Sequence, residues 1–197
     1  MALPVTFVAG DVLEAAQLNS NFSYLDTKGS GLVYLTGAAF TTATSFSLPN
    51  GTFTSSYRNY LMFVHCTALT SDADFTLRLR ASGSDAATNY DFGFPGLLNT
   101  GTASNGAGAA ATSWAVGEMD AASPYYALMV NLIGPQLGSP TLITATFGGI
   151  LKNATAAYYR TGAGSHRDST VYDAVSFISS VASSVTGVYR VYGYADS

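Results

Sequence analysis

From residue 32 onward the chain is cut into short segments rich in Val, Ile, Thr, Tyr and Phe, separated by clusters of Gly, Pro, Asn, Asp and Ser. This punctuation constrains the fold more than any other feature, because each segment has the length and residue types of a strand. The segments run 32–36, 43–48, 60–68, 74–82, 113–119, 125–133, 141–151, 156–160, 174–180 and 187–195. Their spacing is that of an antiparallel sandwich or barrel. In DFTLRLRAS, Phe75, Leu77 and Leu79 alternate with Thr76, Arg78 and Arg80, as in a strand with one face buried. In GVYRVYGYA both faces carry apolar groups, with Tyr189, Val191 and Gly193 on one and Val188, Arg190, Tyr192 and Tyr194 on the other. That strand is either central in its sheet or at an interface. The 197 residues suit one domain with a sizeable core, or one domain with a short appendage.

One stretch, TFVAGDVLEAAQLNSNFSYLDTKGSG at 6–31, reads differently. Asp11 is a good N-cap and Glu14 follows three residues later, so DVLE is a capping box that starts a helix near Val12. Ala15, Leu18, Phe22 and Leu25 then fall at steps of three, four and three on one stripe, and Leu13 is counted with them as a residue of the docking helix. Two heptads are too few for an isolated coiled coil. The helix therefore packs either on its own domain or on a partner, as a self-association or docking helix. Gly29, Ser30 and Gly31 supply a C-cap and a hinge. The expected organisation is an N-terminal arm over 1–31 and a β body over 32–197.

Charge sets the next limits. Charged residues are 10% of the chain and hydrophobic ones 48%, against roughly a quarter charged in an average soluble domain. Two explanations stand: a surface that faces other subunits, or a neutral β-protein coated with Ser and Thr. Net charge is −4 and the Lys and Arg residues are scattered, so there is no basic stripe for nucleic acid. MALPVTFVAGDV lacks the positive and apolar regions of a signal peptide, and no run approaches the roughly 20 apolar residues of a membrane span. The expectation is a soluble protein made in the cytoplasm.

Chemistry-bearing residues are sparse. The single cysteine, Cys66, closes no intrachain disulfide and reads as a small core residue. His65 beside it points to the opposite face of the same strand, which separates a Cys/His pair. His166 stands in SHRDS, an exposed polar loop or a ligand contact. Two histidines and one cysteine give no zinc spacing, and SDAD at 71–74 reads as an aspartate-capped turn before it reads as a calcium loop. No nucleophile elbow, phosphate loop or dinucleotide fingerprint occurs, and no cofactor is expected. The stretch 96–113 is small, polar and rich in glycine, and is either a long exposed loop or a tight inter-subunit segment. The 13 tyrosines serve as strand filling or as contact residues for subunits or carbohydrate.

The N-terminal stretch resembles a segment found in virion proteins of tailed bacteriophages, with the pattern T-F-x-A-G-x-V-L-x-A-A-x-L-N-x-N-F ahead of a variable outer domain. The matching residues are Thr6, Phe7, Ala9, Gly10, Val12, Leu13, Ala15, Ala16, Leu18, Asn19, Asn21 and Phe22. GVYRVYGYADS is similar to the closing strand of phage fibre and decoration domains, and YRNYLMFVHCTALTSDADFTLRLRASGSDAATNY to two adjacent strands of such proteins. The resemblance implies a non-enzymatic structural protein located in the virion, usually trimeric. Its residues 1–28 would dock on another virion protein, while an antiparallel jelly-roll-like β-sandwich points outward. Within that class it implies a short tail fibre or baseplate appendage, or a capsid decoration or head-fibre protein. A sugar-degrading tailspike is the rival from another class. Contact with a host surface glycan would fall on the loops near 96–112 and 161–173, carrying Asn99, Asn105, His166, Arg167 and Asp168. No nucleic acid, membrane or metal partner is implied.

Overall fold

The computed structural model describes residues 5–6, 14–28, 31–122, 125–150, 157–181 and 183–195, without the side chains of 24–28 and 104–105. One helix, α1 (Ala15–Lys28), is followed among these residues by β1 (Leu32–Ala43), β2 (Ser45–Ser47), β3 (Asn59–Leu69), β4 (Ala73–Ala81), β5 (Ser84–Asp85) and β6 (Tyr90–Leu98). Then come β7 (Ala103–Ala111), β8 (Trp114–Met119), β9 (Tyr126–Ile133), β10 (Thr141–Ile150), β11 (Ala157–His166), β12 (Ala174–Ser179) and β13 (Val185–Tyr194). The protein is mainly β, an antiparallel β-sandwich behind one short helix.

The larger sheet has eight strands in the order β1-β13-β3-β9-β10-β11-β6-β7. The smaller runs β2-β12-β4, with β8 against residues 73–77 of β4 and β5 against residues 80–81. The chain changes sheet repeatedly: β1 to β2, β2 to β3 and β3 to β4 all cross, as do β11 to β12 and β12 to β13. Hairpins inside the larger sheet join β9 to β10, β10 to β11 and β6 to β7.

Period-2 alternation explains which side chains fill the space between the sheets. Phe75, Leu77 and Leu79 of β4 are buried, as the sequence pattern requires, and they face Tyr126, Leu128, Val130 and Leu132 of β9 with Ile143 and Phe147 of β10 in one core. Aromatic contacts close the two flanks of the smaller sheet, where Phe46, Phe177, Leu77 and Trp114 form one row. Phe46 lies 4.0 Å from Phe40, 4.7 Å from Phe177 and 5.6 Å from Tyr189 between ring centroids, while Trp114 meets Tyr90 edge-on at 4.9 Å. Buried tyrosine hydroxyls also tether connections: Tyr60 donates to the Thr54 carbonyl at 2.6 Å and Tyr90 to that of Ala86 at 3.0 Å. Such partners are what let a phenol be buried without losing its hydrogen bond. β13 lies between β1 and β3, so the segment with two apolar faces is an interior strand of its sheet.

The structure corrects two expectations about loops. The stretch 96–113 is a hairpin and not a long exposed loop: residues 96–98 complete β6, 99–102 turn, and 103–111 form β7. Gly101 turns the chain at φ 82°, a conformation that costs glycine little. The small residues of β7 answer to packing, since a Cβ on Gly106 would stand 3.0 Å from the Arg160 guanidinium and one on Gly108 would stand 2.5 Å from the Phe92 ring. Likewise 161–173 is only partly a loop, because residues 161–166 continue β11 beyond the expected end at 160.

Gly31, the last member of the expected hinge, has φ 42° and its carbonyl accepts the Ala195 amide at 3.0 Å, so it already belongs to the edge of the body. Gly29, Ser30, Asp11, Leu13 and the helix start near Val12 lie outside the described residues.

Candidate functional site

α1 carries the first group of candidate residues. The Glu14 carbonyl accepts the amides of Gln17 and Leu18 at 3.0 and 3.1 Å, the first helical bonds described. Ala15, Leu18 and Phe22 are exposed, Leu18 at 37% and Phe22 at 59%, and no described α1 side chain enters the core. Leu25 is helical in its backbone, but its side chain, like all of Leu13, lies outside the described residues. Asn21 is the exception on the helix, buried because its amide clasps the chain before it: Nδ2 donates to the Val5 carbonyl at 2.9 Å and Oδ1 accepts the Val5 amide at 3.0 Å. That reciprocal pair fixes residue 5 beside the helix, one turn from Leu18, while Leu18 and Phe22 stay exposed.

The second group does not form one surface. Asn99 is exposed in the β6–β7 turn, where its amide donates to the Ala157 carbonyl at 2.9 Å. Asn105 lies on β7 opposite Pro95, and its side chain is not described. His166 closes the other end of β11, about 30 Å from Ala157 at about 3.3 Å of rise per residue. The Asn99 turn and His166 thus stand at opposite ends of one strand, while the far end of the 96–112 stretch returns to the His166 end, where Ala111 pairs with Tyr90.

His166 is also not an exposed contact residue, since it is completely buried. Its Nε2–H donates to the Thr88 carbonyl at 3.0 Å, which leaves Nδ1 to accept the Tyr172 hydroxyl at 3.3 Å. Edge contacts with the rings of Tyr90 and Tyr172 enclose it. Burial pushes its pKa below the ordinary value against the opposing pull of Asp168, whose Oδ2 is 3.9 Å from Nε2. Arg167 is exposed and donates from Nε to Asp91 at 2.8 Å, and Asp168 accepts from Asn89 at 2.7 Å. These bonds staple residues 166–168 to the β5–β6 connection and the start of β6.

Little else is poised for chemistry. Burial pushes the Cys66 thiol up to about 12, while His65 faces outward on the same strand. Asp72 of SDAD accepts the Ala121 amide at 2.8 Å, a long-range bond that ties the β3–β4 turn to the β8–β9 connection. Among the described residues no three His, Cys, Asp or Glu side chains are grouped as a metal ion would need, and no helix is long and apolar enough to cross a membrane.

Sequence reasoning missed a larger feature, the outward face of the eight-stranded sheet. Phe63, Met129, Leu142, Ile133, Tyr159 and Val188 are all exposed there, Tyr159 at 51%. Register aligns Val188, His65, Ala127, Gly148, Tyr159 and Leu97 in one row across six strands, and Arg190, Phe63, Met129, Thr146 and Thr161 in the next. Between these rows lies a depression of about 430 Å³ lined by Phe63, His65, Ala127, Met129, Gly148 and Tyr159. The signal was the unbroken apolar runs LMFV and ALMV, which put apolar residues on both faces of β3 and β9.

Comparison with known protein families, with curated proteins and with solved structures finds no match to this chain.

Proposed function

We propose that the protein is a non-enzymatic structural component of a tailed-phage virion, a short trimeric tail fibre or baseplate appendage involved in host attachment. The observation that carries this reading is the uncovered stripe of α1: Leu18 and Phe22 are left to solvent beside a sandwich whose core is filled without them. An apolar stripe on a helix of 14 residues, too short to be stable alone, is suited to association with other chains. The resemblance of residues 6–22 to a segment of phage virion proteins is what points to that kind of partner. In this reading α1 associates with its counterparts and docks on another virion protein, while the sandwich is presented outward.

The test is incorporation into particles of the full chain carrying Leu18→Asp and Phe22→Asp. The variant is expected to fold and to be missing from purified virions, whereas undiminished incorporation defeats the docking role. Immunogold labelling of intact virions then locates the protein: gold on the tail supports the appendage, and gold on the head replaces it with a decoration protein. Reproducible shortening of host polysaccharide by the purified chain, abolished by one acidic substitution, would overturn the non-enzymatic reading.

A further inference from the structure

The outward faces of the two sheets are chemically opposite. On the smaller sheet β4 and β5 turn Asp74, Arg78, Arg80 and Asp85 away from the core, and Arg80 pairs with Asp85 at 2.8 Å beside Ser47 and Ser176. On the larger sheet the four adjacent strands β3, β9, β10 and β11 turn out no Asp, Glu, Lys or Arg at all. The scarcity of charge in this chain is therefore concentrated on one face, where Phe63, Met129, Leu142 and Tyr159 stand exposed instead.

Three arguments say what covers that face. The strands with uncharged outward faces, β3, β9, β10 and β11, at about 4.8 Å spacing and with about four outward side chains about 6.8 Å apart along each, give a plan area on the order of 500 Å². Adding the flanking β13 and β6, whose Arg190 and Asp91 form a charged rim, brings it to about 800 Å², close to the roughly 800 Å² that each partner buries in a standard interface. Gly148 lines the depression, and a Cβ there would meet nothing within 4 Å, so this chain's own packing does not demand the missing side chain. Obligate homomeric interfaces are the strongly apolar class, while passing contacts with other proteins are about as polar as the rest of the surface. A face without charge over four strands belongs with the first class.

We propose that the outward face of the eight-stranded sheet, centred on Phe63, Met129, Gly148 and Tyr159, is buried against a second copy of this chain. This contact is separate from the stripe of α1 and does not depend on the virion reading.

Sedimentation velocity of the full chain between about 1 and 100 μM tests it. The unaltered chain is expected to assemble, and Gly148→Glu and Met129→Lys each to weaken assembly roughly tenfold or more. Ser45→Lys, on the outward side of the smaller sheet, is the control that leaves assembly unchanged. An unaltered thermal midpoint and the emission of the buried Trp114 show that each variant is folded. Assembly that survives Gly148→Glu and Met129→Lys but is lost with Phe22→Asp overturns this interface and leaves the helix as the sole contact. The reverse pattern supports the interface and defeats self-association through α1. Hydroxyl-radical labelling of the unaltered chain gives a measure free of substitutions. Phe63, Met129 and Tyr159 should become protected as concentration rises. A chain that stays monomeric with this face fully labelled overturns the proposal and assigns the face to a different protein.

Discussion

His166 shows how far one residue's surroundings can depart from its local sequence. With Nε2 donating to Thr88 and Nδ1 accepting from Tyr172, both ring nitrogens are satisfied only while the imidazole is neutral. Burial holds its pKa below the ordinary value, so as pH falls the unfolded chain takes up this proton before the folded one does. The group's contribution to stability is therefore complete above about pH 6.5 and is lost as pH drops through the lower folded-state pKa. We expect the urea midpoint to fall between about pH 7 and pH 5, and to fall less steeply in His166→Gln, which keeps a donor for Thr88. An equal decline in both chains would assign the effect to carboxylates elsewhere. SHRDS reads as an exposed loop because every neighbour of His166 in sequence is polar. The rings that cover it, Tyr90 and Tyr172, are brought there by strand pairing and by the β11–β12 connection, neither of which is written locally.

Elements were legible where their residues had a strong intrinsic preference. β3, β4, β9, β10 and β13 are full of Val, Leu, Ile, Phe and Tyr, and their positions follow from composition and alternation. β7, ASNGAGAAA, has none of these and takes its extended form from pairing with β6. Neighbouring glycines in β10 show the same division between intrinsic and contextual demands. Gly149 faces the core, where a Cβ would stand 2.1 Å from the Tyr126 ring, whereas Gly148 faces outward into open space. Gly149→Ala must displace Tyr126, whose hydroxyl donates to the Asp120 carbonyl at 2.5 Å, and should cost about 1–3 kcal/mol. Gly148→Ala should stay within about 0.5 kcal/mol in dilute solution. Urea unfolding of the two variants checks this, and equal losses would contradict the assigned facing of the strand.

At the scale of the whole molecule, the core is one continuous cluster from Phe40 on β1 to Val191 on β13, drawing on both sheets. Cys66 lies inside it and its thiol, held up to about 12 by burial, is the only one in the chain. A thiol reagent near neutral pH should therefore label native protein only through opening, with a denaturant dependence matching that of global unfolding. Fast labelling without that dependence would mean that the centre of the larger sheet opens locally. The sequence by itself determined the β class, the strand positions with strong propensity, the inward side of β4 and the amphipathic stripe of α1. Each of these depends on side chains within a few residues of one another, and periodicity records such relations directly. Only the tertiary structure decided that His166 is buried, that 96–113 is a hairpin, that Asn99 and His166 lie at opposite ends of β11, and that the uncharged outward residues of four strands merge into one face. Those outcomes depend on which strands become neighbours and in what register, and pairings between residues as far apart as Leu32 and Tyr194 leave no local trace in the chain.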